Sequence, residues 1–509
     1  MNGGISGGGS RNDTWGRSRG TWDGADDGHR VVVVGGGMAG LIAAYQLAVD
    51  GLRPLLLEAS GAVGGPVARH TVAGVDLDAG AESFAVNRPS VTELLTDLGM
   101  SDRVVQPSSR GAWVRHEAGS APLPKAALLG IPGHPTAADV RRIIGWPGTV
   151  RASLDAMLPA RIAGPTLGSL VRRRMGGRVL RRLVEPVVGG VHAADPSLLE
   201  VDVVAPGLSA ALRSTGSLAG GVRQLRGNAP PAGSAVAGIR GGMASLPAAL
   251  TAAIFAAGGS IRCGATVLGI GRSANEWRVH LAGGWLPADL LVVAVPADGC
   301  RHLLGPVLGP GALPTDACPS TTSVTLVTLV IDDERLDAAP RGTGILVAPG
   351  IDGVRAKALT HATAKWEWLA ASLPPGRHVL RLSYGRGDVD QGIRRRINDS
   401  HRTKDSHRIP AKEDLPASAL TDASALLDIR LRASDVLGSA VVHWPSALPQ
   451  PRHGHAEAVD RLRTAVAAQP GLAVIGSALA GNGLAAVVAD AREQARRLGR
   501  QTTRRASGS

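Results

Sequence analysis

The chain has 509 residues, 44% hydrophobic and 19% charged, with 68 Gly, 33 Pro and a formal net charge of +13. At roughly 150 residues per domain, this length predicts two or three structural units whose core needs no disulfide or metal scaffold. Cys263, Cys300 and Cys318 lie far apart without CxxC spacing, so neither a disulfide framework nor a zinc site is expected, and no metal. Reduced, cytoplasmic surroundings follow. The basic excess rests almost wholly on arginine, and 3% aromatic residues leave little to stack on bases. No nucleic-acid partner is expected.

In chain order, residues 1–29 are glycine-rich and charged without an apolar run, which predicts a flexible extension rather than a signal peptide. Val31-Val32-Val33-Val34 reads as a parallel strand buried on both faces. It runs into Gly35-Gly36-Gly37-Met38-Ala39-Gly40, then a helical pattern closed by Gly51, then a second strand Arg53–Leu57 ending in Glu58. That is one βαβ unit. Residues 91–234 read as mainly helical, with 207–237 as a Gly/Ala/Ser-rich connection. A further helix after Met243 and strands up to Val295 follow.

Residues 301–435 are strand-rich, with strands expected at 323–331, 343–348 and 378–384. They include a polar insertion at 398–415. The uncharged stretch Gly471–Ala489 holds four glycines, so it reads as strand, glycine turn and helix, and no integral membrane span is expected. Residues 501–509 complete the chain as a tail.

The chemistry begins at Gly35-x-Gly37-x-x-Gly40. Gly35 permits a tight turn, Gly37 lets a pyrophosphate approach the backbone, and Gly40 lets the helix pack against the strand. The helix N-terminus, opening at Met38 and Ala39, offers N–H groups and positive dipole to phosphate. Glu58, 18 residues after Gly40, sits at the spacing of a ribose-hydroxyl acceptor. The fold class expected is α/β plus α: a Rossmann-type dinucleotide domain with an inserted mixed-sheet and helical substrate region. That domain would be discontinuous, drawn from 30–90, 235–300 and 436–500. Segments 91–234 and 301–435 would form the substrate side.

The run Glu58-Ala59-Ser60, then Gly64-Gly65, resembles FAD proteins of the amine-oxidase-like superfamily. Asp78-Ala79-Gly80-Ala81-Glu82-Ser83-Phe84 with Arg88-Pro89, and Arg182-Leu183-Val184-Glu185-Pro186 followed by Gly189-Gly190-Val191, narrow this. So do Ala364-Lys365-Trp366 and Ala447-Leu448-Pro449-Gln450. Together they are similar to the HemY-type porphyrinogen oxidases over roughly residues 30–500.

The resemblance implies FAD held by Gly35, Gly36, Gly37, Met38, Ala39, Gly40, Glu58, Ala59, Ser60, Gly64 and Gly65. Gly80, Ala81, Glu82 and Val267 would add to the cradle. A second contact would come near the C-terminus at Gly476, Gly481, Asn482, Gly483 and Leu484, where a helix N-terminus could stabilise negative charge at flavin N1. It further implies FAD-dependent oxidation of coproporphyrinogen III to coproporphyrin III in heme biosynthesis, with oxygen as acceptor and a later heme-pathway enzyme as a candidate partner. Alternatives are a protoporphyrinogen IX oxidase, another flavin amine oxidase or desaturase, and a non-catalytic porphyrin-binding relative. Two Tyr and two Phe in the chain leave little for the aromatic cage of an amine oxidase.

No catalytic triad is expected, because the flavin carries the chemistry. Lys365 is a candidate for holding a water at the flavin, its alternative an exposed lysine. His192 is a candidate cavity residue, its alternative a satisfied buried histidine. Arg88 is a candidate partner for a substrate propionate, its alternative a surface arginine before a helix.

The chain departs from the family pattern in three places. Pro66 and Ala68 stand where it has cations, with Arg69 one residue late as the candidate replacement. The C-terminal Tyr-Asp-Gly-Val-Gly-Ile-Pro becomes Leu479-Ala480-Gly481-Asn482-Gly483-Leu484-Ala485. The 398–415 insertion is extra.

Overall fold

The computed structural model describes residues 30–86, 88–161, 164–191, 194–227, 236–273, 276–309, 321–385, 414–449 and 454–506. Val31–Val34 forms the centre of a five-stranded parallel sheet. Pro54–Leu57 and Leu290–Val293 flank it, Ser260–Arg262 and Leu472–Val474 form the edges, and every pairing is parallel. The four valines are buried because they feed two cores in alternation: Val31 and Val33 face one, Val32 and Val34 the other. Each contributes about 1.5–3 kcal/mol by leaving water.

On the first face pack the helices Met38–Val49, Ser245–Ala256 and Leu484–Ala506. On the second lie the antiparallel strands Val267–Ser273, Glu276–Leu281 and Gly284–Ala288 and the helices Ala297–Leu308 and His455–Ala467.

A seven-stranded sheet forms the other half, ordered 436–449, 321–332, 377–384, 358–361, 344–347, 113–116, 119–122. Three of its strands correct the sequence reading. Val436–Pro449 pairs along its length with Thr321–Asp332, so it belongs to this sheet and not to the dinucleotide domain. Trp113–His116 and Gly119–Pro122 come from the segment read as mainly helical; they are short and pair with each other, and Trp113–His116 joins the sheet through Gly344–Val347, far along the chain.

The helices of that segment, Ala138–Ser153, Leu167–Met175 and Glu185–Val191 among them, enclose a core of their own. The stretch read as a connection contains two helices, Leu208–Thr215 and Leu218–Arg226, whose Leu208, Leu212, Leu218 and Val222 enter this core. Its glycines had masked that periodicity. The last helix continues to Ala506, into the segment read as a tail. The extension 1–29 and most of the 398–415 insertion lie outside the described residues.

Candidate functional site

The site starts at the C-terminal end of the central strand. Gly35 has φ +106, and a Cβ there would overlap the Ala294 carbonyl oxygen. At Gly40 a Cβ would overlap the Gly35 carbonyl oxygen, so the helix rests on the strand only because both are glycine. Gly37 is the opposite case, with no atom within 4 Å of an added Cβ. Open backbone at a helix N-terminus is the geometry that admits a pyrophosphate.

Glu58 closes this end. Its Oε2 accepts from the Gly36 N–H at 2.6 Å and its Oε1 from the Ser60 N–H at 2.8 Å. Each oxygen keeps a lone pair for a ribose hydroxyl. The strand holding Val267 begins beside it, since Ala265 N–H donates to the Glu58 carbonyl at 2.8 Å and Gly264 N–H to that of Ser60 at 2.9 Å.

From here a ladder of main-chain bonds leads across the site. Gly64 N–H donates to Gly36 O at 2.8 Å, Ala79 N–H to Ala68 O at 2.8 Å, and Ala81 N–H to Pro66 O at 2.9 Å. A Cβ at Gly80 would overlap the Pro66 carbonyl oxygen. Proline at 66 therefore keeps the contact that matters, its carbonyl, while lacking only an N–H. Arg69 does not replace the missing cations: it is exposed and pairs with Asp76 at 3.1 Å. Asp78 accepts from the Met243 and Ala244 N–H groups, both at 3.1 Å, at the start of helix Ser245–Ala256. Burial raises its pKa despite these bonds.

The loop 79–82 is then clamped to the seven-stranded sheet. Trp444 Nε1 donates to Ala79 O at 3.0 Å, Arg381 donates to Gly80 O, and Glu82 takes Lys365 on one oxygen and Arg381 on the other, the latter at 3.4 Å. Burial pushes the Glu82 carboxyl up, yet Lys365 and Arg381 together hold it below the usual value. Lys365 is thus not an exposed lysine; its side chain is 16% exposed and ion-paired.

The C-terminal turn approaches from the other side. Gly481 and Gly483 have φ +96 and +102, and an added Cβ at either, or at Gly476, would meet nothing within 4 Å. Between them Asn482 Nδ2 donates to Pro449 O at 3.1 Å, tying the turn to the strand that carries Trp444. Helix Leu484–Ala506 starts there.

Arg88 is exposed, just before helix Ser90–Asp97. His192 lies outside the described residues. Arg381 and Trp444 were missed by sequence reading. The one available signal was Arg381 itself, a lone charge in the apolar alternation His378–Tyr384.

Beyond the loops the sheet offers a floor. Val442, Leu326, Ser383, Ala358 and Leu346 are register partners in one row across five strands, roughly 19 Å at 4.7–4.9 Å per strand. All five are part-exposed, while Val327, Leu382, Leu359 and Ile345 behind them are buried in the sheet's other core. Trp444 and Arg381 share this face, two residues to either side of the row along their strands. Helix Glu185–Val191 overhangs the Leu346 end, so close that a Cβ at Gly190 would lie 2.8 Å from Leu346.

The sequence profile of the flavin-containing amine oxidoreductases matches residues 38–500. The chain belongs to that family. Open glycine cradles at both ends of the cluster, and a carboxylate at the ribose position, fit FAD, and the protein is an FAD-dependent oxidoreductase.

Among relatives, the coproporphyrinogen III oxidase of Mycobacterium leprae is 30% identical over 90% of this chain and 96% of its own length. That of Propionibacterium freudenreichii is 29% identical over 93% and 91%. The crystal structure of an Exiguobacterium protein assigned to the protoporphyrinogen oxidases shares 25% identity with this flavin oxidoreductase. It has a TM-score of 0.76, covering 93% of this chain and 99% of that one. UDP-galactopyranose mutase, at 15% identity and TM-score 0.64, shares the fold over 92% and 93%. Among the described residues, no helix is long and apolar enough to cross a membrane.

Proposed function

We propose that this flavin oxidoreductase converts coproporphyrinogen III to coproporphyrin III in heme biosynthesis, in the cytoplasm, with oxygen as the electron acceptor. The observation that carries the reading is the end-to-end similarity to coproporphyrinogen III oxidases: 30% identity with 90% and 96% coverage in one of them. The five-strand floor supports it, because a flat macrocycle needs a broad apolar surface beside the flavin loops rather than a narrow slot.

FAD, when bound, supplies the hydride acceptor. The chain's own residues bind and orient. The Gly35–Gly40 loop and Glu58 would hold pyrophosphate and ribose. Gly64-Gly65 would lie beside the phosphates, the 79–82 and 481–483 loops would enclose the ring, and helix Leu484–Ala506 would turn its positive end toward it. The part-exposed row from Val442 to Leu346 would carry the substrate, with helix Glu185–Val191 covering its far edge and excluding water. No protein nucleophile enters this account, in keeping with hydride chemistry on the cofactor.

The test is direct. The purified protein should be yellow, and with coproporphyrinogen III in air it should generate porphyrin fluorescence together with oxygen consumption. Faster turnover of protoporphyrinogen IX would overturn the substrate but keep the reaction. That arm has its own support in the 26% identity to the chloroplastic protoporphyrinogen oxidase 1 of spinach, over 86% of this chain. Hydrogen peroxide production with an amine, and no fluorescence with either tetrapyrrole, would overturn the porphyrinogen reading.

A further inference from the structure

Lys365, Glu82 and Arg381 come from three distant segments and meet at one carboxylate. Glu82 bonds Lys365 through Oε1 and Arg381 through Oε2. The second guanidinium nitrogen of Arg381 donates to the Gly80 carbonyl. The three side chains are 10–19% exposed, so the group is removed from bulk water without being sealed. Asp78 is occupied by two backbone N–H groups, and its carboxyl is pushed up by burial. His70, beside Arg381, is kept neutral by burial and by the guanidinium. Within the three-residue group itself, two cations meet one carboxylate, a surplus of one positive charge.

That surplus sits on the loop which the main-chain ladder from Gly36 through Gly64 and Pro66 carries along the cofactor site. A charge fixed in a partly desolvated protein acts at longer range than the same charge in water.

We propose that Lys365, Glu82 and Arg381 form one positioning unit, which pins the Gly80–Glu82 loop to the substrate-side sheet and makes bound FAD easier to reduce through its net positive charge. The proposal rests on the flavin reading given above. It assigns Lys365 a role other than holding a water: its ammonium is already committed to Glu82, and it acts through that pair.

The experiment is a charge cycle read by the midpoint potential of the FAD-loaded protein, in a dye-coupled reductive titration without substrate. E82Q raises the local charge to two positive and should shift the ratio of reduced to oxidised FAD, at the wild-type midpoint, upward by roughly tenfold. K365M removes the surplus and should shift it downward by a similar factor. The double variant E82Q/K365M restores one net charge and should return close to wild type, as should K365R. A double variant displaced further than either single one would show that only the bonding pattern matters, and would overturn the proposal. Loaded variants that all keep the wild-type potential would overturn it too, leaving the flavin reading intact. A protein that takes up no FAD overturns that reading, and the proposal with it.

Discussion

The two ends of the proposed cofactor site, a phosphate end and a ring end, are built in different ways. The phosphate end is almost one continuous piece of chain: Gly35 to Gly40, Glu58, and Gly64-Gly65 lie within 31 residues and bond mainly to one another. The ring end is assembled from five places, 79–82, 365, 381, 444–449 and 481–483, joined by side chains that reach across hundreds of positions. A local site depends on backbone shape. An assembled one depends on a few long-range bonds, and each of these fails differently.

The largest effect is expected at the phosphate end, from Gly40→Val. The branched side chain would drive the helix off the Gly35 carbonyl. Overpacking of this kind costs about 1–3 kcal/mol or more, so FAD uptake should be lost and the melting temperature of the apoprotein should fall. At the ring end, Arg381→Met removes the donor to Gly80 O and one partner of Glu82. A buried acceptor left without its bond costs about 1–3 kcal/mol. Chemical denaturation should show that loss while the isolated phosphate end keeps its affinity for ADP. Equal loss of ADP binding would break the comparison.

Gly37→Ala separates folding from binding. Its φ of −67° suits any residue, and a Cβ would meet nothing. The apoprotein should unfold within about 0.5 kcal/mol of wild type, whereas FAD affinity should drop at least tenfold, about 1.4 kcal/mol, because the methyl stands where phosphate approaches.

Acid should act on the ring end through Glu82. Its carboxyl is held below the usual value by Lys365 and Arg381 against the opposing push of burial. A depressed folded-state pKa gives stability that is present above the unfolded value, about 4.3, and is lost as pH falls through the folded one. Apoprotein stability should therefore decline below about pH 4, and E82Q should flatten that limb of the curve. A wild-type slope retained in E82Q would place the acid-sensitive group elsewhere.

His361 adds to the acid loss. It is buried, and its pKa is lowered to about 3 by burial and then by His378 and Arg110. It stays neutral in the fold and costs stability as pH falls from about 6.5, a broader decline than that of Glu82. The smallest expected effect is Trp444→Phe, which deletes the bond to Ala79 O but keeps the ring. About 1 kcal/mol should be lost.

Lys365 marks where sequence reading stops. An isolated lysine in Ala364-Lys365-Trp366 carries no sign of its partner, and exposure is the ordinary state of lysine. Its burial follows from Glu82, 283 positions away. The strand Val436–Pro449 was assigned to the wrong half for the same reason: alternation predicts a strand but not which sheet accepts it. Arg69 looked like a substitute for the cations missing at 66 and 68. Strand alternation then turned it outward to Asp76.

What the sequence determined by itself was everything that depends on spacing of a few residues. The βαβ unit, the glycine loop and the acidic strand end are read directly, because turn, close approach and helix start are local backbone requirements. The family elements likewise marked Gly80 to Glu82 and the Gly481–Gly483 turn. Only the tertiary structure decided how these elements meet. It tied the 79–82 loop to Arg381, Lys365 and Trp444, anchored Asn482 on Pro449, and laid Val442 to Leu346 out as one row. Bonds between distant segments depend on strand order and register, and chain order leaves both open.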